Sequence, residues 1–142
     1  MQAYMKNSVT KILKQTGLSI TESRQKILDL FMHSSGALAH ADIERRMDDG
    51  FDRVTVYRTL NSFVEKGIIH LIPTKDNSIK YALCKDDCEA GHHHDNHVHF
   101  ICDVCTKTIC LDDVIVPNVK LPRGFKPDHA EMMVTGVCGE CR

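Results

Sequence analysis

Two Cys-x-x-Cys pairs, Cys102-Asp103-Val104-Cys105 and Cys138-Gly139-Glu140-Cys141, constrain this chain more than any other feature. Each can present two thiolates to one ion from a tight turn, and together they supply the four sulfurs of a closed tetrahedral zinc site. Four protein ligands leave no position for water, so such a site is structural and ties the end of the chain to the strand before Cys102. Reduced thiols or a redox pair are the plain alternative, but they give two separate motifs in one small module no shared purpose. All seven cysteines (Cys84, Cys88, Cys102, Cys105, Cys110, Cys138 and Cys141) follow residue 83. An odd count fits a closed disulfide framework poorly, and in a reducing compartment paired cysteines favour metal.

The cysteines also divide the chain. Residues 1–83 carry 12 Lys+Arg against 9 Asp+Glu, net +3, whereas residues 84–142 carry 6 against 10, net −4. The overall charge of −1 argues against a nucleic-acid partner only while this asymmetry stays hidden. With 142 residues, 42% hydrophobic and 26% charged, the chain has room for one ordinary domain or two very small ones. That excludes large multidomain enzymes and a mainly disordered chain. No run approaches the roughly 18 apolar residues of a membrane span, and the first ten residues hold no apolar stretch of signal-peptide length. A cytoplasmic protein with no membrane partner is the expectation.

The first half reads as helices followed by a hairpin. Val9, Ile12 and Leu13 space one apolar stripe, closed by Gly17, and Thr21 is an N-cap for a second helix that turns Ile27, Leu28, Leu30 and Phe31 inward. A short third helix is expected around residues 41–47, and a fourth from about 53 to 66, stopped by Gly67. Residues 68–72 and 79–83 are β-rich and flank the turn-forming Lys75-Asp76-Asn77-Ser78, so they form a β-hairpin wing. Helices plus wing predict a winged helix-turn-helix.

The fourth helix is the candidate reader of DNA. Val56, Leu60, Phe63 and Val64 fall on a buried stripe, with Thr55, Arg58 and Ser62 on the opposite face and Tyr57 and Asn61 at its margins. Arg58 can reach a guanine edge or a phosphate, Thr55 and Asn61 can hydrogen-bond, and the Tyr57 ring can meet a thymine methyl. The bland alternative is a solvated face, since any surface helix has a polar side.

A second metal site is suggested by what remains. His97 and His99 alternate around Val98, so on a strand both imidazoles project to one face. Cys84 and Cys110 lie in flanking segments, and His70 sits in the first wing strand. A mixed sulfur and nitrogen set favours zinc over iron(II), because thiolate is a soft ligand. Each residue also has an ordinary explanation: His70 as a strand histidine, Cys110 as a small core residue, and His92-His93-His94 as a solvated loop.

Taken together, Thr55-Val56-Tyr57-Arg58-Thr59-Leu60, His97-Val98-His99-Phe100-Ile101-Cys102-Asp103-Val104-Cys105 and Gly136-Val137-Cys138-Gly139-Glu140-Cys141 make the chain resemble the ferric uptake regulator family along essentially its whole length. The resemblance implies an α+β protein: a winged helix-turn-helix DNA-binding domain (1–83), a hinge (84–96) and a small α/β dimerisation domain with structural zinc (97–142). It implies a metal-responsive transcriptional repressor, not an enzyme, that binds double-stranded operator DNA as a homodimer when a regulatory metal occupies the hinge. Arg24, in Thr21-Glu22-Ser23-Arg24, then belongs with Thr55, Tyr57, Arg58 and Asn61 in the DNA-binding set. Family members often place a lysine before the second helix, where this chain has Ser19.

Departures from the family pattern bear on the metal. Iron- and peroxide-sensing members usually draw one regulatory histidine from just before the third helix; the matching position is Ala37, with His33 and His40 out of register. Tyr81-Ala82-Leu83-Cys84 instead resembles the zinc-sensing branch, in which a cysteine after the second wing strand joins a ligand of the first, here His70. Cys110 replaces a common acidic ligand. The regulatory set is therefore His70, Cys84, His97, His99 and Cys110, with zinc as the expected metal and iron(II) as the alternative. A further sensing site of some members is lost, since Asn96, Val98, Pro117 and Ala130 occupy its positions, although His129 is one residue away.

Two rival classes remain. His129-Ala130-Glu131 followed by Cys138-Gly139-Glu140-Cys141 superficially matches the signature of zinc deaminases. Only six residues separate Glu131 from Cys138, they read as a strand, and Val137 stands where proline belongs. A zinc-ribbon interaction module accounts for the sulfurs but not for the winged-helix half.

Overall fold

In the computed structural model, residues 2–47, 50–84, 97–127 and 130–142 are described. Chain contacts separate two units, Met1–His93 and His94–Arg142. Of the expected hinge only Cys84 falls among the described residues; Cys88, His92, His93, His94 and His129 lie outside them.

Local chemistry sets the helix ends of the first unit. Helix α1 (Gln2–Gln15) buries Val9 and Leu13, four residues apart. It ends at Gly17, whose φ of 73° is left-handed, with the Leu18 N–H closing back on the Leu13 carbonyl at 2.9 Å. Helix α2 (Glu22–His33) is capped by Thr21, whose Oγ1 accepts from the Arg24 N–H at 3.3 Å, and buries Ile27, Leu28 and Phe31. Leu30, expected inward, is only partly buried. Strand β1 (Leu38–Ala39) leads into α3 (His40–Arg46), where Asp42 accepts from the Ala39 N–H at 3.0 Å. That bond is half of a capping box, and Ala39 has no side-chain oxygen for the other half.

Helix α4 (Arg53–Glu65) starts at Asp52, whose Oδ1 accepts from the Thr55 N–H at 2.7 Å, and is followed by Gly67 at φ 69°. Its inner face buries Val56, Thr59, Leu60 and Phe63, while Val64 is partly covered. These side chains join Leu13, Ile27, Leu28, Ile43 and Ile69 in one core. Each fully buried Leu, Ile or Phe contributes roughly 1.5–3 kcal/mol relative to exposure, so the core fixes α4 while its other face stays exposed.

The wing is the antiparallel pair β2 (Ile69–Pro73) and β3 (Ile79–Leu83), in register from Ile69 opposite Leu83 to Pro73 opposite Ile79. Strand β1 pairs with the far edge of β3, giving the order β1-β3-β2. At the tip Asp76 accepts from the hydroxyls of Thr74 and Ser78 and from the Ser78 N–H, and Asn77 takes a φ of 60°. Asparagine tolerates that left-handed conformation better than most residues.

In the second unit β4 (His97–Cys102) is central, antiparallel to β5 (Thr108–Ile115) and parallel to β6 (Met132–Gly136). The elements of this unit among the described residues are these three strands. The segment between β5 and β6 carries Pro117, Pro122 and Pro127 with Gly124 at φ 90°, and proline cannot donate the i→i−4 bond a helix needs. Among the described residues no helix is long and apolar enough to cross a membrane.

Candidate metal centres and DNA-reading helix

Strand pairing assembles the four thiols. Cys102 at the end of β4 lies opposite Gly136 at the end of β6, and because these strands are parallel both Cys-x-x-Cys turns emerge at the same end of the sheet. The first turn is closed by the Thr106 N–H on the Cys102 carbonyl at 3.0 Å and the Cys102 N–H on the Lys107 carbonyl at 2.9 Å, with Thr106 at φ 62°. The second is closed by the Cys141 N–H on the Cys138 carbonyl at 3.1 Å. The sulfurs of Cys102, Cys105, Cys138 and Cys141 all lie within 4.8 Å of one another, with Cys105 and Cys138 3.8 Å apart. Zinc–sulfur bonds of about 2.3 Å in a tetrahedron separate sulfurs by about 3.8 Å. The donor set therefore fits a closed metal site.

Backbone groups prepare the cluster for the charge such a site carries. The Cys105 and Cys138 N–H groups aimed at Cys102 pull its thiol down to about 6, against the burial that opposes ionisation. Hydrogen bonding with Cys105 and Cys138 pushes Cys141 up to about 12. Lys107 adds a contact that composition and motif spacing do not reveal. Its Nζ lies 2.9 Å from Glu140 Oε1, joining the residue after the first turn to the second pair, and that bond raises Lys107 and lowers Glu140.

The other proposed ligands form one pair in each unit. In the wing His70 is opposite Ala82, and Cys84 lies two residues further along the partner strand on the same face. Cys84 Sγ is 3.5 Å from His70 Nδ1, and His70 is buried. In the second unit His99 stands directly opposite Cys110 across β4 and β5, so their Cβ atoms are cross-strand neighbours; His99 is also buried. The β4–β5 register shifts between His97 and Val98, where the partner residues on β5 step from Ile115 to Leu111, and the side chain of His97 lies outside the described residues.

The exposed stripe of α4 differs from the expected one. Thr55 and Ser62 are half-buried, while Val54, Tyr57, Arg58 and Asn61 are exposed at i, i+3, i+4 and i+7. Val54 (54% exposed) is thus as open as Tyr57 (55%), and was missed because an aliphatic residue on a polar helix face reads as core. Asp52 is the other omission; an Asp immediately before the apolar period was the available signal. Arg24 donates to the Ser19 carbonyl at 2.8 Å and to the Ser19 hydroxyl, holding the loop that enters α2.

A winged helix joined to a β unit with a four-thiol cluster defines a metal-binding protein of the winged-helix class. The chain belongs to the ferric uptake regulator family, whose model, "Ferric uptake regulator family", matches residues 15–135. It is 33% identical over 143 aligned residues to the ferric uptake regulation protein of Staphylococcus epidermidis, covering 96% of this chain and 95% of that protein. It is 29% identical over 151 to the peroxide operon regulator of Bacillus subtilis, covering 99% and 96%. Its fold is similar to that of a zinc uptake regulator complexed with zinc and DNA, with a TM-score of 0.65, 23% identity, and coverage of 99% of this chain and 93% of that one. Family members are transcription regulators and not enzymes, which overturns the deaminase alternative. Physically, β6 fills the space before Cys138 where a deaminase needs a second ligand helix.

Proposed function

We propose that this chain is a transcriptional repressor that binds operator DNA as a homodimer once a regulatory zinc ion is held by ligands drawn from His70, Cys84, His97, His99 and Cys110. The carrying observation is the approach of Cys84 Sγ to His70 Nδ1 at 3.5 Å, a thiol and an imidazole side by side in the DNA-binding wing. The His99 and Cys110 pairing supplies the same two chemistries from the second unit. A soft thiolate beside imidazole favours zinc over iron(II). A separate structural zinc sits on Cys102, Cys105, Cys138 and Cys141.

In this account the regulatory ion performs no chemistry. By drawing ligands from the wing and from the second unit it selects, among the orientations of the two DNA-binding domains, the one that matches two operator half-sites. A coupling of roughly 1–3 kcal/mol corresponds to about 5–150-fold in DNA affinity. Arg58, Tyr57, Asn61 and Thr55 of α4 contact the operator, joined by Arg24. Iron(II) is the second reading, supported by the names of the relatives that share about a third of their residues with this chain. DNA affinity measured at buffered free zinc and at buffered free iron(II) tests the assignment: zinc alone should raise it.

A further inference from the structure

The outer edge of α4 carries an apolar side chain with no part in the core. Val54, in the first turn, is 54% exposed beside Tyr57 at 55%. Between this turn and the wing opens a groove of about 660 Å³, lined by Val54, Tyr57, Ile79 and Tyr81, with Arg53 and Asn77 among its other walls. A helix N-terminus ordinarily attracts phosphate. Here the Asp52 carboxylate already occupies the Thr55 N–H and places a negative charge at that end, and the Thr55 hydroxyl and N–H favour its ionised form. The Thr55 N–H is thus already taken, Arg53 is the cation of that turn, and the side chain the turn adds beside it is the apolar Val54. In the major groove the apolar feature of the bases is the thymine C5-methyl group.

We infer that Val54 is a specificity-determining residue: its isopropyl group packs on a thymine methyl of the operator, next to the base pair met by Tyr57 and one helical turn ahead of the contact made by Arg58. This rests on the assignment of α4 as the DNA-reading helix. In helix-turn-helix proteins the N-terminal residues of that helix meet base edges, which is where Val54 stands.

The test begins with selection of duplexes from a randomised library by the whole chain with zinc or iron(II) present. In the most enriched duplex each thymine is then replaced in turn by uracil, which removes only the methyl group. Affinities are measured for the parent and for Val54→Ala, a change at an exposed helical site whose melting temperature is checked against the parent. At one thymine position per half-site the parent should lose about fourfold, the worth of one buried methyl, and Val54→Ala should lose nothing further there. If the parent is indifferent to every methyl, or if Val54→Ala pays the same as the parent at every position, the inference is wrong. Enrichment of no duplex would instead overturn the DNA-reading assignment of α4 itself.

Discussion

Cys102 and Gly136 stand opposite each other on adjacent parallel strands, and that one pairing explains how two cysteine motifs 36 residues apart come together in one cluster of thiols. An antiparallel β6 would have sent the second pair to the far end of the sheet. The Cys138 N–H on Cys102 Sγ at 3.4 Å and the Asp103 N–H on the Gly136 carbonyl at 2.7 Å secure the junction.

Cys102→Ser or Cys138→Ser is expected to remove one metal ion per chain and to unfold or loosen the second unit. In such sites metal binding is folding free energy, of order 10–16 kcal/mol in zinc-finger peptides. Metal analysis alongside thermal unfolding reads this. A variant that lacks the ion yet keeps the melting temperature and dimer of the parent would refute a structural role.

Tyr57→Ala and Arg58→Ala should each weaken operator binding while leaving metal content and oligomeric state unchanged, since both side chains face outward from α4. A base-edge contact is worth roughly 1–3 kcal/mol of discrimination, so fluorescence anisotropy should show a loss of about 5- to 150-fold. Binding equal to the parent in both variants would mean that another face meets DNA.

Much of this was legible in the chain because it rests on local rules. Four helices and a hairpin followed from apolar spacing, Gly17 and Gly67 as stops, and Thr21 as a cap. Strand β1 was not legible, since two residues have no period to read. The face of α4 was displaced because half-burial of Thr55 and Ser62 depends on what packs beside them, which helical spacing does not contain. The register shift between His97 and Val98 was invisible for the same kind of reason: a bulge depends on the partner strand. The four thiols were readable from spacing, but their juxtaposition required knowing that β4 and β6 run parallel.

Stability of the first unit should respond to cap and core separately. Thr21→Ala removes the acceptor for the Arg24 N–H and is expected to cost about 1 kcal/mol. Leu60→Ala, at a fully buried site, should cost about 2–5 kcal/mol. Urea unfolding of the whole chain, followed by a probe in the first unit, gives both values. Equal costs would place Leu60 outside the core.

The wing tip gives a pH signature. The Thr74 hydroxyl, followed by the Ser78 hydroxyl and N–H, holds the Asp76 carboxyl down to about 2. A depressed folded value means that the turn's stabilisation is present above the unfolded carboxylate range near 3.9 and is lost as pH falls from there through about 2. Carbon-detected NMR titration of Asp76 should find a midpoint near 2, with the turn insensitive to pH around neutrality. A midpoint near 4 would show that these hydrogen bonds do not persist in solution.

The central claim is that Cys84 belongs to the regulatory shell, and the most direct measurement is the operator affinity of the parent and of Cys84→Ala across buffered free zinc, with structural metal content measured on the same samples. The account predicts that zinc raises the affinity of the parent, and that Cys84→Ala keeps the structural ion but loses the rise. A Cys84→Ala protein that responds to zinc like the parent would contradict it, as would a parent whose affinity rises with iron(II) while free zinc is buffered away.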